Sequence, residues 1–402
     1  MKSNTPTLHC STAPVSSVRL ITSPRLWIEA EAIRQFYATA QLEGVRLAVA
    51  FPDLHPGRGT PVGAAFVTQD VIYPHVIGDD IGCGMAFFKT NLLRREVKLD
   101  RWAELRFNLE HPWDEDISEF LTAHDLDSSE FDAALGTIGG GNHFAELQSV
   151  ERIFDAGAFK QLGIGKEQLV VLVHSGSRGL GETVLRDYAS EHQANGVSAD
   201  SFAAQDYLRG HDFAVRWARA NRALIAQRFV ATLGAEGECV WDGCHSSITA
   251  RENDGETVWV HRKGAVAANV NPRSGRSGPA PLPDAATNVV VIPGSRGAFS
   301  YVVKPVGDGE SHAWSVAHGA GRKWARSETR LRMRERFSVP ELVQTPHGGR
   351  VICEERDLLY EGAPAAYKNI EAVVQDLVDA GLVSVIATLR PLLTYKTRKL
   401  QR

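Results

Sequence analysis

Short apolar, β-branched runs recur along the chain, and each runs straight into a polar turn that carries glycine. The pattern is seen in VRLAVAFPDLHPG at 45–57, VIYPHVIGDDIGCG at 71–84, LVVLVHSGSRG at 169–179, TVWVHRKGA at 257–265 and NVVVIPGSRG at 288–297. Runs of this length bounded by Gly and Pro predict strands, so the expected grammar is a strand followed by a loop rich in chemistry. Helices are predicted where apolar residues fall three and four apart, over 199–232 and, more briefly, over 116–123, 322–337 and 365–381. A further helix is expected over 23–40, with Ser23 as N-cap and Pro24 at the first helical position. Strands and helices mixed without strict alternation predict an α+β fold, not a doubly wound sheet.

One stretch, NPRSGRSGPAPLPDAAT at 271–287, is rich in Pro, Gly and Ser and carries no periodicity. It is expected to be a loop, either a surface connection or a lid over a site. Residues 1–17 are expected to be flexible, and residues 1–402 are expected to form a single catalytic domain. A chain of 402 residues with 43% hydrophobic and 23% charged positions is not compositionally disordered. Its five cysteines, an odd number spread over a long chain, do not make a disulfide framework and suit a reducing compartment. The N-terminal stretch has no apolar signal core, and nowhere do about 18 uncharged apolar residues run together. The expectation is a soluble cytoplasmic protein with no membrane partner.

The net charge of -4 excludes a protein basic all over, so any nucleic-acid surface must be local. Charge is segregated along the chain. Residues 111–132 hold eight acidic residues and no Lys or Arg, whereas Arg322, Arg326, Arg330 and Arg334 recur every four residues and predict an arginine stripe on one helix face. Such a stripe is a solvated face or a phosphate-binding one.

Five of the fourteen histidines stand at the ends of strand-like runs or in glycine-flanked turns: His143, His174, His245, His261 and His318. Asp80 and Cys83 in GDDIGCGM add an oxygen and a thiolate at i, i+3, with Gly78, Gly82 and Gly84 allowing a tight turn. An apolar strand ending in two carboxylates and a thiol makes a poor core segment, and a bound cation would remove the cost of burying it. Asp79 is a candidate outer partner; the other four cysteines read as structural. His318, in AHGAGRKWAR, sits among small residues that let a phosphate approach the backbone, and it could be a structural residue, a ligand or a nucleophile.

Taken together, FPDLHPGRGTPVG, DDIGCGM, GGGNHF, HSGSRG, CHSSI, HRKGA, IPGSRGAFSY, AHGAGR and APAAYKNI resemble the RtcB-type RNA ligases in their order, from about Val45 to Lys396. The resemblance implies a fold of mixed and antiparallel sheets with surrounding helices and an active site in a central cleft. It implies GTP and two Mn2+ ions as cofactors, with Cys83 bridging the ions, His174 and His245 completing one and Asp80 and His143 the other. His318 would be the guanylylated nucleophile, and Asn142, Glu146, Ser295, Ser300, Gly319, Ala320, Arg322, Tyr367 and Lys396 would surround the guanylate. Arg178 would lie near the phosphates; His261 has no clear place. The implied partners are RNA ends, one bearing a 3′-phosphate or 2′,3′-cyclic phosphate and the other a 5′-hydroxyl.

Three departures resemble the branch coupled to a peptide-release-factor homologue: Gly82 where many members have Asn, CHSSI in place of an HN form, and Arg296 in place of Met. They imply RNA repair linked to translation. Two rival readings remain from the residues themselves: a metal-dependent phosphodiesterase or phosphatase acting on RNA ends without GTP, and a non-catalytic RNA-binding protein that has kept the fold.

Overall fold

In a computed structural model, residues 17–268 and 288–398 are described. The loop expected at 271–287 and residues 1–16 lie outside them. Among the described residues the fold is α+β, as the unalternating pattern predicts, and is built on two large sheets with two two-stranded ribbons beside them.

One sheet has five strands in the order Ser17–Leu20, Val45–His55, Val62–Gln69, Glu256–Lys263 and Ser246–Asn253, antiparallel except for the first pair. The other runs Val290–Ile292, Ser300–Pro305, Val383–Thr397, Phe144–Ile153, Gln168–Ser175, Gly84–Leu93 and Gly237–Cys244, all antiparallel, with Arg350–Cys353 added parallel to Val383–Thr397. A two-stranded ribbon, Ala265–Ala267 with Ser315–Ala317, continues into the His318 turn. One apolar cluster joins strands of both sheets to this ribbon and to the Ile370–Asp379 helix, through Val49, Phe51, Val260, Val290, Val316 and Val373. Burying that much apolar surface, at about 25 cal/mol per Å², fixes the ribbon between the sheets.

The helix Phe202–Thr232 is capped by Ser201, whose Oγ accepts from the Ala204 amide at 3.2 Å. Its buried face, with Trp217, Leu224 and Phe229, covers the larger sheet. No helix among the described residues is long and apolar enough to cross a membrane.

Several expected elements are shorter than the pattern suggests. The first helix spans Ala30–Ala40, not 23–40. Ser23 is not its cap, because its amide and Oγ both bond to the Asp376 carboxylate, at 2.8 and 2.7 Å. The 71–84 run is not one strand: Val71–Ile72 pairs briefly, and Pro74, lacking an N–H for the ladder, opens a short helix at Pro74–Ile77. The strand at 288–297 is reduced to Val290–Ile292. Asn369 caps the helix Ile370–Asp379, so the apolar residues from 365 onward precede it. The basic helix starts at Arg326, which leaves Arg322 in the preceding turn.

Candidate functional site

Four neighbouring strands of the larger sheet, in the order Phe144–Ile153, Gln168–Ser175, Gly84–Leu93 and Gly237–Cys244, alternate in direction. The starts of two and the ends of the other two therefore meet at one end of the sheet. His143 precedes the first, His174 lies near the end of the second, Cys83 precedes the third and His245 follows the fourth. This explains how residues from both ends of strand-like runs converge. Backbone bonds lock the turns together: the Gly82 amide donates to Ser246 O at 2.8 Å and the His245 amide to Cys83 O at 2.8 Å. Gly82 holds φ +76°, and a Cβ there would come within 2.9 Å of the Ala218 Cβ.

The side chains gather closely. Cys83 Sγ stands 3.3 Å from His174 Nε2 and 3.6 Å from His143 Nε2, and the ligand atoms of these three residues lie within 4.8 Å of one another. His245 Nε2 faces His174 Nε2 at 3.0 Å, and Asp80 Oδ2 is 3.3 Å from His143 Nε2. Burial, helped by neighbouring imidazoles, pushes His174 and His245 well below the ordinary histidine range, so both rings are neutral. Burial and the Asp80 charge push the Cys83 thiol well up. Burial opposes ionisation of Asp80, but its hydrogen bond and charge interaction with His143 outweigh this and bring it to about 2. Neutral imidazoles with nitrogens turned on one another, a thiol and a carboxylate form a donor set that suits a borderline divalent cation. His143 Nδ1 is 3.1 Å from Ile138 O, which fixes the ring with its Nε2 toward the cluster.

His318 enters from the ribbon. Its ring packs 4.8 Å from that of His245, and its Nδ1 is 2.6 Å from Asp53 Oδ2, which also accepts the His318 amide at 3.1 Å. Asp53 is fully buried on the strand Val45–His55. With Nδ1 serving as donor to a carboxylate, the imidazole carries its free lone pair on Nε2.

All of these groups except His143 and Asp53 line one cavity of about 740 Å³. Asn142, Glu146, Ser295, Ser300, Gly319, Ala320, Arg322, Tyr367 and Lys396 line it too. Apart from Arg178, the structure brings the residues expected at the site to one cleft, with His143 just beneath its surface. Burial moves both Glu146 and Lys396 to about 7, upward for the acid and downward for the amine. Glu146 accepts from Gln148 and Thr394, and Gln148 also donates to Ser300 Oγ at 2.9 Å. The Arg322 guanidinium lies 5.2 Å from the Tyr367 ring centroid and donates to Glu361 O at 3.0 Å. Arg178 is not on the cavity wall; its guanidinium packs where a side chain at Gly139 would be.

The arginine stripe is corrected by its partners. Arg330 and Arg334 both pair with Asp357 on the helix Arg356–Glu361, and Arg332 pairs with Glu328. Only Arg322 and Arg326 turn to the cavity, where Arg326 donates to Asn142 Oδ1 at 3.1 Å. His261 is a structural residue: fully buried, held neutral at about 3 chiefly by burial, it accepts the Tyr73 amide at 2.9 Å. Sequence reasoning passed over Asp53. A carboxylate inside the apolar run AVAFPDL breaks the pattern in the way that drew attention to Asp80, and the same argument applies to it.

A buried thiol and imidazole set beside a carboxylate-oriented histidine in one cleft pairs a donor set for a divalent cation with a histidine placed as a nucleophile could be. The sequence matches the family described as "tRNA-splicing ligase RtcB" over residues 35–132 and 118–397. The chain is 42% identical over 385 residues to "RNA-splicing ligase RtcB2" of Escherichia coli, covering 94% of this chain and 96% of the relative. It is 29% identical to "tRNA-splicing ligase RtcB" of Thermococcus kodakarensis, covering 90% of each, and 29% identical to the protein of the same description from Aeropyrum pernix, covering 88% and 89%. This chain belongs to the RtcB family.

Proposed function

We propose that the protein is a GTP- and Mn2+-dependent RNA ligase that joins an RNA 3′-phosphate, or a 2′,3′-cyclic phosphate after hydrolysis, to a 5′-hydroxyl end. The observation that carries the reading is the Asp53–His318 pair, which leaves the Nε2 lone pair free beside the cation-binding donor set. Family membership supports the RNA substrate.

Asp80, Cys83, His143, His174 and His245 would hold two Mn2+ ions. Bound there, the ions would neutralise phosphate charge and polarise the reacting phosphorus. His318 Nε2 attacks the α-phosphorus of GTP, an N–P bond forms, and pyrophosphate leaves with its electron pair. The RNA 3′-phosphate oxygen then displaces His318 from the guanylyl group. The 5′-hydroxyl finally attacks the activated 3′-phosphate, loses its proton and releases GMP. Asp53 holds the imidazole proton on Nδ1 and stabilises the ring as charge develops on it. Glu146 and Lys396 offer an acceptor and a donor for the base, while Arg322 and Arg326 stand where phosphates enter. Because these residues come from both sheets and from the Val383–Thr397 strand, the chain acts as one catalytic unit. The Gly82, CHSSI and Arg296 departures support a cytoplasmic repair role linked to a release-factor homologue.

The test is incubation with Mn2+ and GTP labelled at the α-phosphate. An acid-labile, base-stable adduct is expected on the parent and not on His318→Ala. Equal labelling of both rejects the nucleophile assignment. Hydrolysis of RNA cyclic phosphate ends with no labelling favours the phosphodiesterase.

A further inference from the structure

One end of the cavity lies away from the donor cluster, and Glu146 marks it. Phe144 faces the cluster, with its ring 5.6 Å from that of His174, and Glu146 follows on the same face of the same strand, about 7 Å further on. Two other ionisable side chains line this end: Arg296, 6% exposed, and Lys396, 5% exposed. Among the described residues neither has a carboxylate within ion-pair distance.

Arg296 has donors to spare. Its Nη2 donates to Leu359 O at 2.9 Å, whereas its Nη1 is buried with no hydrogen-bond partner. The neighbouring wall is bare of side chain there: Gly362 also lines the cavity, and a Cβ on it would sit 3.1 Å from that nitrogen. A buried donor left unbonded costs about 1–3 kcal/mol, so an acceptor brought to this wall by a ligand would be held well. The guanidinium is flat and presents its N–H groups as a fork. A planar heterocycle suits it, one with acceptors on the edge toward Arg296 and donors on the edge toward Glu146. Guanine has that layout, with N7 and O6 as acceptors and N1–H and N2–H as donors, whereas adenine puts an amino donor where O6 would be. A phosphate would also attract two cations, but at this wall it would face the Glu146 carboxyl.

We infer that Arg296 is a specificity-determining residue that reads the N7 and O6 edge of the guanine while Glu146 takes its N–H edge. This rests on the ligase reading above for the identity of the nucleotide, and it goes further in assigning Arg296 a contact with the base.

The probes are GTP and 7-deaza-GTP, which has C–H in place of N7 and is otherwise the same molecule. Equilibrium competition binding is measured with Mn2+ on the full chain carrying His318→Ala, so that no covalent capture intervenes. That protein should bind GTP at least about fivefold more tightly than 7-deaza-GTP. Arg296→Met keeps the bulk of the stem without its N–H groups. Added to the same background, it should weaken GTP and bring the two nucleotides within about twofold of each other. Equal binding of the two by the protein that retains Arg296 overturns the inference, and that result needs no variant at 296 to fold. A preference for GTP that persists in Arg296→Met, even with both nucleotides weakened, also overturns it and leaves Arg296 only a brace for the Arg356–Glu361 helix. Binding of neither nucleotide, with no α-phosphate label on the parent, would sink the ligase reading and the base contact with it; binding indifferent to N7 sinks the base contact alone.

Discussion

Cys83 Sγ stands 3.3 Å from His174 Nε2, although 91 positions separate them in the chain. The contact follows from strand register: Gly84 pairs with Ser175 and Met85 with His174, so the residue before one strand is placed against the end of its antiparallel neighbour. The sheet register itself therefore sets the spacing of the donor atoms.

Replacing Cys83 with Ala removes the proposed sulfur donor and leaves the sheet register untouched. Manganese affinity is expected to fall by more than the roughly 10–100-fold typical of losing an outer partner of a metal ligand, with little change in the melting temperature of the metal-free protein. Metal analysis and titration calorimetry measure this directly. Two ions still bound to Cys83→Ala would remove the sulfur from the centre.

Cation binding should also release a proton. The Cys83 thiol is pushed up by burial and must lose its proton to become a ligand, whereas His174 and His245 are already neutral and Asp80, at about 2, is already ionised. Affinity should therefore rise with pH, by up to about tenfold per unit below the thiol pKa. Titrations in buffers of different ionisation enthalpy should report about one proton released per binding event. Affinity independent of pH from 6 to 8 would contradict the assignment.

Much of this was legible from residue pattern alone. The glycine-bounded strand ends flagged His143, His174 and His245, because a polar group at the end of an apolar run must be either solvated or employed. What the pattern hid is partnership. Arg330 and Arg334 read as a free stripe because Asp357, which neutralises both, lies on another helix. Ser23 read as a cap because Asp376, its actual partner, is 353 positions away. Propensity is local, and a distant carboxylate with better geometry overrides it.

Base recognition gives a pH test of its own. Glu146, proposed to meet the guanine edge, has its carboxyl raised to about 7, chiefly by burial, and only the ionised form offers both oxygens as charged acceptors to two guanine N–H groups. Nucleotide affinity should therefore fall as pH drops through 7 toward 6. In Glu146→Gln this dependence should disappear, and preference for GTP over ATP should drop by roughly 1–3 kcal/mol. Competition binding at several pH values measures both. An unchanged preference in Glu146→Gln would move the base elsewhere.

Arg222 supports the centre from below. It is fully buried, bonds both oxygens of Asp242 at 2.7 Å, and donates through Nη1 to Gly82 O at 2.8 Å and Ser175 O at 2.9 Å. Those carbonyls belong to the residues beside Cys83 and His174, so one guanidinium joins two ligand-bearing turns to the strand that leads to His245. Arg222→Met leaves Asp242 with only the longer ion pair to Arg219, at 3.6 Å, and should cost up to roughly 3–5 kcal/mol of stability, read by denaturant unfolding. Adding Asp242→Leu removes the stranded charge and should recover most of that loss, because two apolar side chains can replace a buried ion pair at little net cost. The double variant still lacks the bonds to Gly82 and Ser175, so its cation affinity should stay below the parent's even where its stability does not. Recovery of both stability and cation affinity would show that the guanidinium serves only to neutralise Asp242.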